Sequence, residues 1–200
     1  MVTKSEEAST VTVVAKVVTP EGFEPFGEML TTSGSPLPHV YGDTMDVYRA
    51  GRLESDTPVE YILTRYRLRE FRVQFLERHH RLTQTFIPLE GNAFVVAVAA
   101  PGAELENGVP RVEDVRAFVV PGDAAVNLHR GTWHEVPFPL VDGGMTLVTS
   151  HAGVTDGWAE LDETREIAKL EEDEEKRNVL DRTGVRLLIE LPESYAGAAK

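Results

Sequence analysis

The stretch ERHHRLTQ, residues 77–84, carries a carboxylate, imidazoles and an amide at spacings suited to acid–base or metal chemistry. In an extended chain, side chains two residues apart share a face. Phe71, Val73 and Phe75 set an apolar phase, and Glu77 and His79 continue it. A carboxylate on a buried phase must be protonated, paired or bound to a cation. A pocket at the open mouth of a barrel meets that requirement, and so does an ion pair closing a strand end. The other phase, Arg72, Gln74, Arg78 and His80, reads as a solvated face. A second cluster, AVNLHRGTWHEVP at residues 125–137, sets His129 and His134 on either side of Gly131. Imidazole titrates near neutrality, so both are candidate general acids or bases, with Glu77 as a third catalytic candidate.

These residues need elements to hold them. β-branched and apolar runs predict strands over Val11–Val18, Val59–Arg67, Phe71–His79, Thr85–Pro88, Ala93–Ala100, Val115–Val120, Ala125–His129 and Met145–Ser150. Gly and Pro punctuate them, as in the turn Pro121-Gly122-Asp123. PEGFEPFGEML predicts a turn and a short helix. Many short strands with such turns argue for an all-β sandwich, jelly roll or small barrel. Residues 1–10 read as a charged, disordered tail, 11–158 as the barrel domain and 159–200 as a charged helical extension. Within the extension, Leu161–Leu180 is dense in Glu and Lys and free of Gly and Pro, a helix composition. Asp162 is its candidate N-cap and Gly184 its stop. A final edge strand, VRLLIEL, would follow.

The chain's 200 residues can bury one sizeable core. The absence of cysteine excludes disulfides, thiolate metal sites and cysteine nucleophiles, and fits a cytoplasmic protein. A net charge of −13 argues against a nucleic-acid partner. No apolar run is long enough to cross a bilayer and no signal peptide is visible, so no membrane partner is expected.

The spacing resembles the cupin motifs. Glu77-x-His79 stands where His-x-His would, Gln84 follows after four residues where a Glu would, and Gly91 follows after six more. Gly131-Thr132-Trp133-His134 matches Gly-x-x-His. In cupins these positions converge on a divalent metal inside the barrel. Here the ligand set would be Glu77, His79, Gln84 and His134, a mix of oxygen and nitrogen donors that suits Mn, Ni, Fe or Zn. A ligating His has become Glu and a ligating Glu has become a neutral amide, so the motifs leave open both a metal centre and a metal-free site.

A longer resemblance covers about residues 17–158. Glu77-Arg78-His79, Thr83-Gln84, Phe86-Ile87-Pro88, Gly91, Val126-Asn127, His129-Arg130 and Trp133-His134 are similar to the ureidoglycolate lyase family, and Phe23–Glu28 resembles its N-terminal motif. The resemblance implies a cupin-like jelly-roll β-barrel that cleaves the C–N bond of ureidoglycolate to glyoxylate and urea in allantoin and purine breakdown. It also implies a homodimer with a small carboxylate substrate. That reaction needs a base for the hydroxyl proton, an acid for the departing nitrogen and a group to hold the carboxylate. His129 or His134 would serve as acid or base, and Glu77 would orient His79, move a proton or ligate a metal. Gln84 and Asn127 would bond the ureido group or glyoxylate. Arg65 would clamp the carboxylate, with Arg67 as competitor. One departure stands out. Asp46 and Tyr48 occupy positions where the family shows Arg and His. The alternatives are a related lyase acting on another α-hydroxy or ureido acid, and a non-catalytic cupin that binds a small acid.

Overall fold

The computed structural model describes residues 8–33, 39–41, 43–153, 155, 165–170 and 173–197. β1 (Ser9–Val14) and β2 (Lys16–Val17) lead into one helical turn, α1 (Pro20–Phe23). Pro20 opens that turn and the Thr19 hydroxyl accepts the Gly22 N–H at 3.1 Å, which satisfies a donor the short helix leaves unpaired. β3 (Gly27–Leu30), β4 (His39–Tyr41) and β5 (Met45–Val47) follow. Then come β6 (Val59–Arg65), β7 (Arg72–Val73), β8 (Phe75–His79), β9 (Gln84–Pro88) and β10 (Phe94–Ala99). After the hairpin of β11 (Leu105–Glu106) and β12 (Val109–Pro110) come β13 (Arg116–Val120), β14 (Ala125–Leu128) and β15 (Trp133–His134). β16 (Phe138–Pro139), β17 (Met145–His151), β18 (Ile167–Leu170) and β19 (Glu174–Asn178) precede a second helical turn, α2 (Val179–Thr183), and β20 (Val185–Glu190).

Eight strands pair in nested, antiparallel fashion: β6 with β17, β8 with β15, β9 with β14 and β10 with β13. They form two sheets, one ordered β3-β14-β9-β17-β6, the other β18-β19-β8-β15-β10-β13-β2. Two four-stranded sheets wound in this way make a jelly roll. The molecule is all-β and cupin-like, as the sequence predicts. The nesting brings β8 beside β15, so that positions 77 and 134 become direct cross-strand partners.

The continuous apolar run of β10 follows from burial on both faces. Phe94, Val96 and Val98 face the barrel interior with Phe86, Phe118, Val126, Leu128 and Val148. Val95, Ala97 and Ala99 face outward into a second core with Leu76, Val119, Trp133, Leu187 and Ile189. A third sheet, β1-β20-β7, contributes to that outer core. VRLLIEL therefore forms a strand, but in the middle of this sheet and not at an edge. The phase expected to be solvated is so only at His80, while Arg72, Gln74 and Arg78 are half-buried. Leu76 is fully buried, and the Arg78 guanidinium lies 4.3 Å from the Trp133 ring centroid. Two turns meet backbone to backbone: a Cβ on Gly122 would lie 1.9 Å from the Gly91 carbonyl oxygen.

The helix expected over Leu161–Leu180 does not form in the described residues. Asp162 and the rest of 161–164, with 171 and 172, lie outside them, as do residues 1–7 of the expected tail, while Ser9 and Thr10 already belong to β1. The remainder is β18, β19 and the start of α2, which ends at Gly184 in a left-handed conformation. The open edge of β8 offers β19 a complete hydrogen-bonding partner, and tertiary pairing outweighs helix propensity. Charge favours the strand as well, since Glu175 takes Arg78 at 2.7 Å and Arg177 at 2.6 Å. Among the described residues, no helix is long and apolar enough to cross a membrane.

Candidate active site

Glu77 and His79 on β8, Gln84 on β9 and His134 on β15 converge inside the barrel. The cross-strand pairs Val98–His134 and His134–Glu77 put both site residues on the face of Val98, which belongs to the interior core. Gln84 shares its phase with inward-facing Phe86. The Gly131 N–H donates to the His79 carbonyl at 2.6 Å and so ties the two sequence motifs together.

His134 Nε2 lies 3.3 Å from Glu77 Oε1, and its Nδ1 lies 3.2 Å from the Thr132 carbonyl oxygen. A carbonyl only accepts, so the Nδ1 proton is committed there and a neutral His134 turns a bare Nε2 toward Glu77. His79 repeats the arrangement. Its Nδ1 lies 2.8 Å from Asp173 Oδ2, and its Nε2 lies 3.2 Å from Gln84 Nε2. Burial disfavours charge on His79, but the Asp173 hydrogen bond and the fields of Glu77, Asp173 and Glu174 outweigh it and raise the imidazole pKa. Burial likewise opposes the charge of Glu77. The close approach of the His134 ring and the fields of His134, His79 and Lys176 overcome it and hold the carboxyl below its ordinary range.

With both rings neutral, two imidazole lone pairs and a carboxylate therefore point at one another. The ligating atoms of Glu77, His79 and His134 all lie within 4.8 Å of each other. Nitrogen and oxygen ligands of one tetrahedral ion lie about 3.4 Å apart, so these atoms need draw in only slightly to share one. Gln84 Oε1 and His134 Nε2 are buried without a hydrogen-bond partner among the described residues. Such a donor set calls for a cation, and the residues present fit a divalent metal. Without one, a proton is the cation at hand, which agrees with the raised pKa of His79. Accessibility differs within the cluster. The Glu77 side chain is 15% exposed, against 1% for His134 and 2% for His79.

Three expected site residues lie elsewhere, for one reason. On β14, Val126 and Leu128 point into the barrel, so Asn127 faces the opposite side. There its Nδ2 donates to Glu28 Oε2 at 3.0 Å and to the Arg52 carbonyl at 2.9 Å, and its Oδ1 accepts the Thr85 hydroxyl. His129 continues that outward phase and is exposed, with Nε2 3.2 Å from the Glu24 carbonyl oxygen. Arg65 is exposed on the outer face of β6, its guanidinium 3.7 Å from Met145 Sδ, and Arg67 is exposed too. The four proposed metal ligands, by contrast, do come together.

Three residues were not anticipated. Tyr66 is buried, its hydroxyl 2.9 Å from Thr146 Oγ1, and close enough to feel the charge of Glu77. Burial, chiefly, pushes its phenol up to about 12. Alternation in VEYILTRYR signals it, since the phase of Ile62 and Thr64 reaches Tyr66 just as it turns Arg65 outward. Asp173 is fully buried and also lies 3.6 Å from His151 Nε2. No local pattern marks Asp173 or His151.

A jelly roll with imidazole, carboxylate and amide donors converging inside it defines a cupin-like enzyme. The ureidoglycolate lyase family model matches residues 10–166. The ureidoglycolate lyase of Azotobacter vinelandii is 34% identical over 137 residues, covering 66% of this chain and 80% of its own. That of Pseudomonas fluorescens strain Pf-5 is 34% identical over 148 residues, covering 71% of this chain and 86% of its own. RmlC from Streptococcus suis, solved with dTDP-D-xylose, aligns over 92% of each chain at 11% identity with a TM-score of 0.31, too slight a likeness to argue from. The chain belongs to the ureidoglycolate lyase family and is a lyase.

Proposed function

We propose that the protein cleaves ureidoglycolate to glyoxylate and urea in allantoin breakdown, acting as a cytoplasmic homodimer. Family membership supports the substrate. The convergence of Glu77, His79, Gln84 and His134 on one point inside the barrel is the observation that supports the chemistry most.

His79, His134 and Gln84, the more deeply buried donors, would hold one divalent cation, with Glu77 beside them. When bound, that cation supplies positive charge for the substrate carboxylate and lowers the pKa of the neighbouring hydroxyl. Glu77 is the accessible member of the cluster and is held ionised, so it takes the hydroxyl proton. The hydroxyl oxygen and the ureido nitrogen sit on the same carbon. One carboxyl can therefore accept the proton from oxygen and deliver it to nitrogen as the C–N bond breaks and the carbonyl forms. Urea then leaves neutral, and no water is consumed. The Gln84 amide bonds the substrate oxygens or the ureido group. Tyr66, neutral throughout the physiological range, offers a hydroxyl donor at the edge of the site.

The test is urea release from ureidoglycolate by purified protein, with and without chelator, beside Glu77→Gln. General acid–base catalysis contributes about 10²–10⁴-fold, and a loss of that size in kcat is expected for the variant. Chelation should abolish activity and a divalent metal restore it. Undiminished turnover by Glu77→Gln would overturn the assignment of the base. Failure of the wild type to release urea, with or without added metal, would overturn the substrate.

A further inference from the structure

We infer that the strand lying beyond the family match completes this active site, with Asp173 as the positioning residue that fixes His79. The inference rests on reading the cluster as the active site. The match ends at residue 166, yet β19 runs antiparallel along β8 with Glu174 opposite His79 and Lys176 opposite Glu77. That register sets Asp173, the residue before the strand, directly against the His79 ring.

Three hydrogen bonds hold the Asp173 carboxylate, and His151 Nε2 lies 3.6 Å from its Oδ2. Oδ1 accepts the His80 N–H at 2.9 Å and the Arg81 N–H at 2.7 Å, and Oδ2 faces His79 Nδ1 at 2.8 Å. Two backbone donors on the turn after β8 thus lock the carboxylate, and the carboxylate in turn selects the ring tautomer. With the proton on Nδ1, a neutral His79 presents Nε2 to Glu77 and Gln84. Carboxylates hydrogen-bonded to the far nitrogen of a histidine orient such rings and raise their basicity, and their loss costs about 10–100-fold in metal affinity. A buried carboxylate that merely fastened β19 to β8 would need only the two backbone contacts.

Asp173→Asn separates the two roles. The amide oxygen can keep both backbone bonds, but the amide nitrogen offers a proton to Nδ1. The neutral ring must then carry its proton on Nε2, facing the cluster. The expected results are unchanged thermal unfolding, an inverted His79 tautomer by 15N NMR and Mn(II) or Zn(II) binding weakened about 10–100-fold. The kcat for urea release should fall with little change in KM. An unchanged tautomer with unchanged metal affinity would reduce Asp173 to a fastener of β19. Should the variant not fold, the wild-type spectrum decides: a neutral His79 protonated at Nε2 overturns the inference. Tautomer and metal titration read out even if ureidoglycolate is not the substrate, so the two proposals fail separately.

Discussion

At the residue scale, the neighbour of His134 explains how so short a strand is kept in register. β15 has two residues, and Glu135 prolongs it with a side chain. Its Oε2 accepts the backbone N–H groups of Gln74 at 2.8 Å and Phe75 at 2.7 Å, where a longer strand would offer carbonyls. Burial, opposed by Arg69 and these two donors, pushes the Glu135 carboxyl up to about 7. A carboxyl raised in the folded state contributes fully below its unfolded pKa, and the contribution is lost as pH rises through about 7. Glu135→Gln keeps an acceptor and removes the ionisation. Denaturant midpoints should show the variant gaining on wild type between pH 5 and pH 8, by on the order of 3 kcal/mol at most. Equal pH profiles for the two proteins would refute this. The same scale shows how far the sequence could be read. Glu77 and His79 do turn inward, but the phase that pointed there is broken: Phe71 and Val73 lie in the outer core, and the chain changes face between β7 and β8. Alternation applied strand by strand would have removed Arg65 and Asn127 and admitted Tyr66. Those two residues were instead chosen for the chemistry they could supply, without regard to strand phase.

At the element scale, short strands were legible wherever Gly and Pro bounded an apolar run. The Leu161–Leu180 segment was not, because its composition describes a free helix while its conformation is set by an edge about 100 residues earlier in the chain. No local signal reports that β8 lacks a second neighbour until β19 arrives. The turns are read more directly. Gly122 follows β13 and Gly91 precedes β10, and the missing side chain at 122 lets the two backbones touch. Gly122→Ala must push those turns apart. Thermal and denaturant unfolding should register a loss of about 1–3 kcal/mol, the usual cost of overfilling a packed site. Wild-type stability would show that the turns separate freely.

At the scale of the whole molecule, the jelly roll was foreseen, but the third layer was not. The β10 run has no polar alternation, and both its faces need cover. The interior cover, from the facing sheet, comes from residues that read as barrel. The outer cover is shared: Ala15, Val73, Leu76, Trp133 and Phe138 come from the barrel segment, Val179, Leu187 and Ile189 from the segment assigned to an appendage. The homodimer is a proposal at this scale too. Light scattering on the purified protein should give twice the mass of the 22.1 kDa chain, and a single-chain mass at working concentration would dismiss it.

β1 pairs in parallel with β20, from Ser9 against Val185 to Val14 against Glu190. A ribosome has therefore to deliver nearly the whole of this sequence before its first strand gains that partner, and Asp173 emerges only shortly before. A chain that stopped before residue 173 would carry Glu77, His79 and His134 but lack the carboxylate that faces the His79 ring.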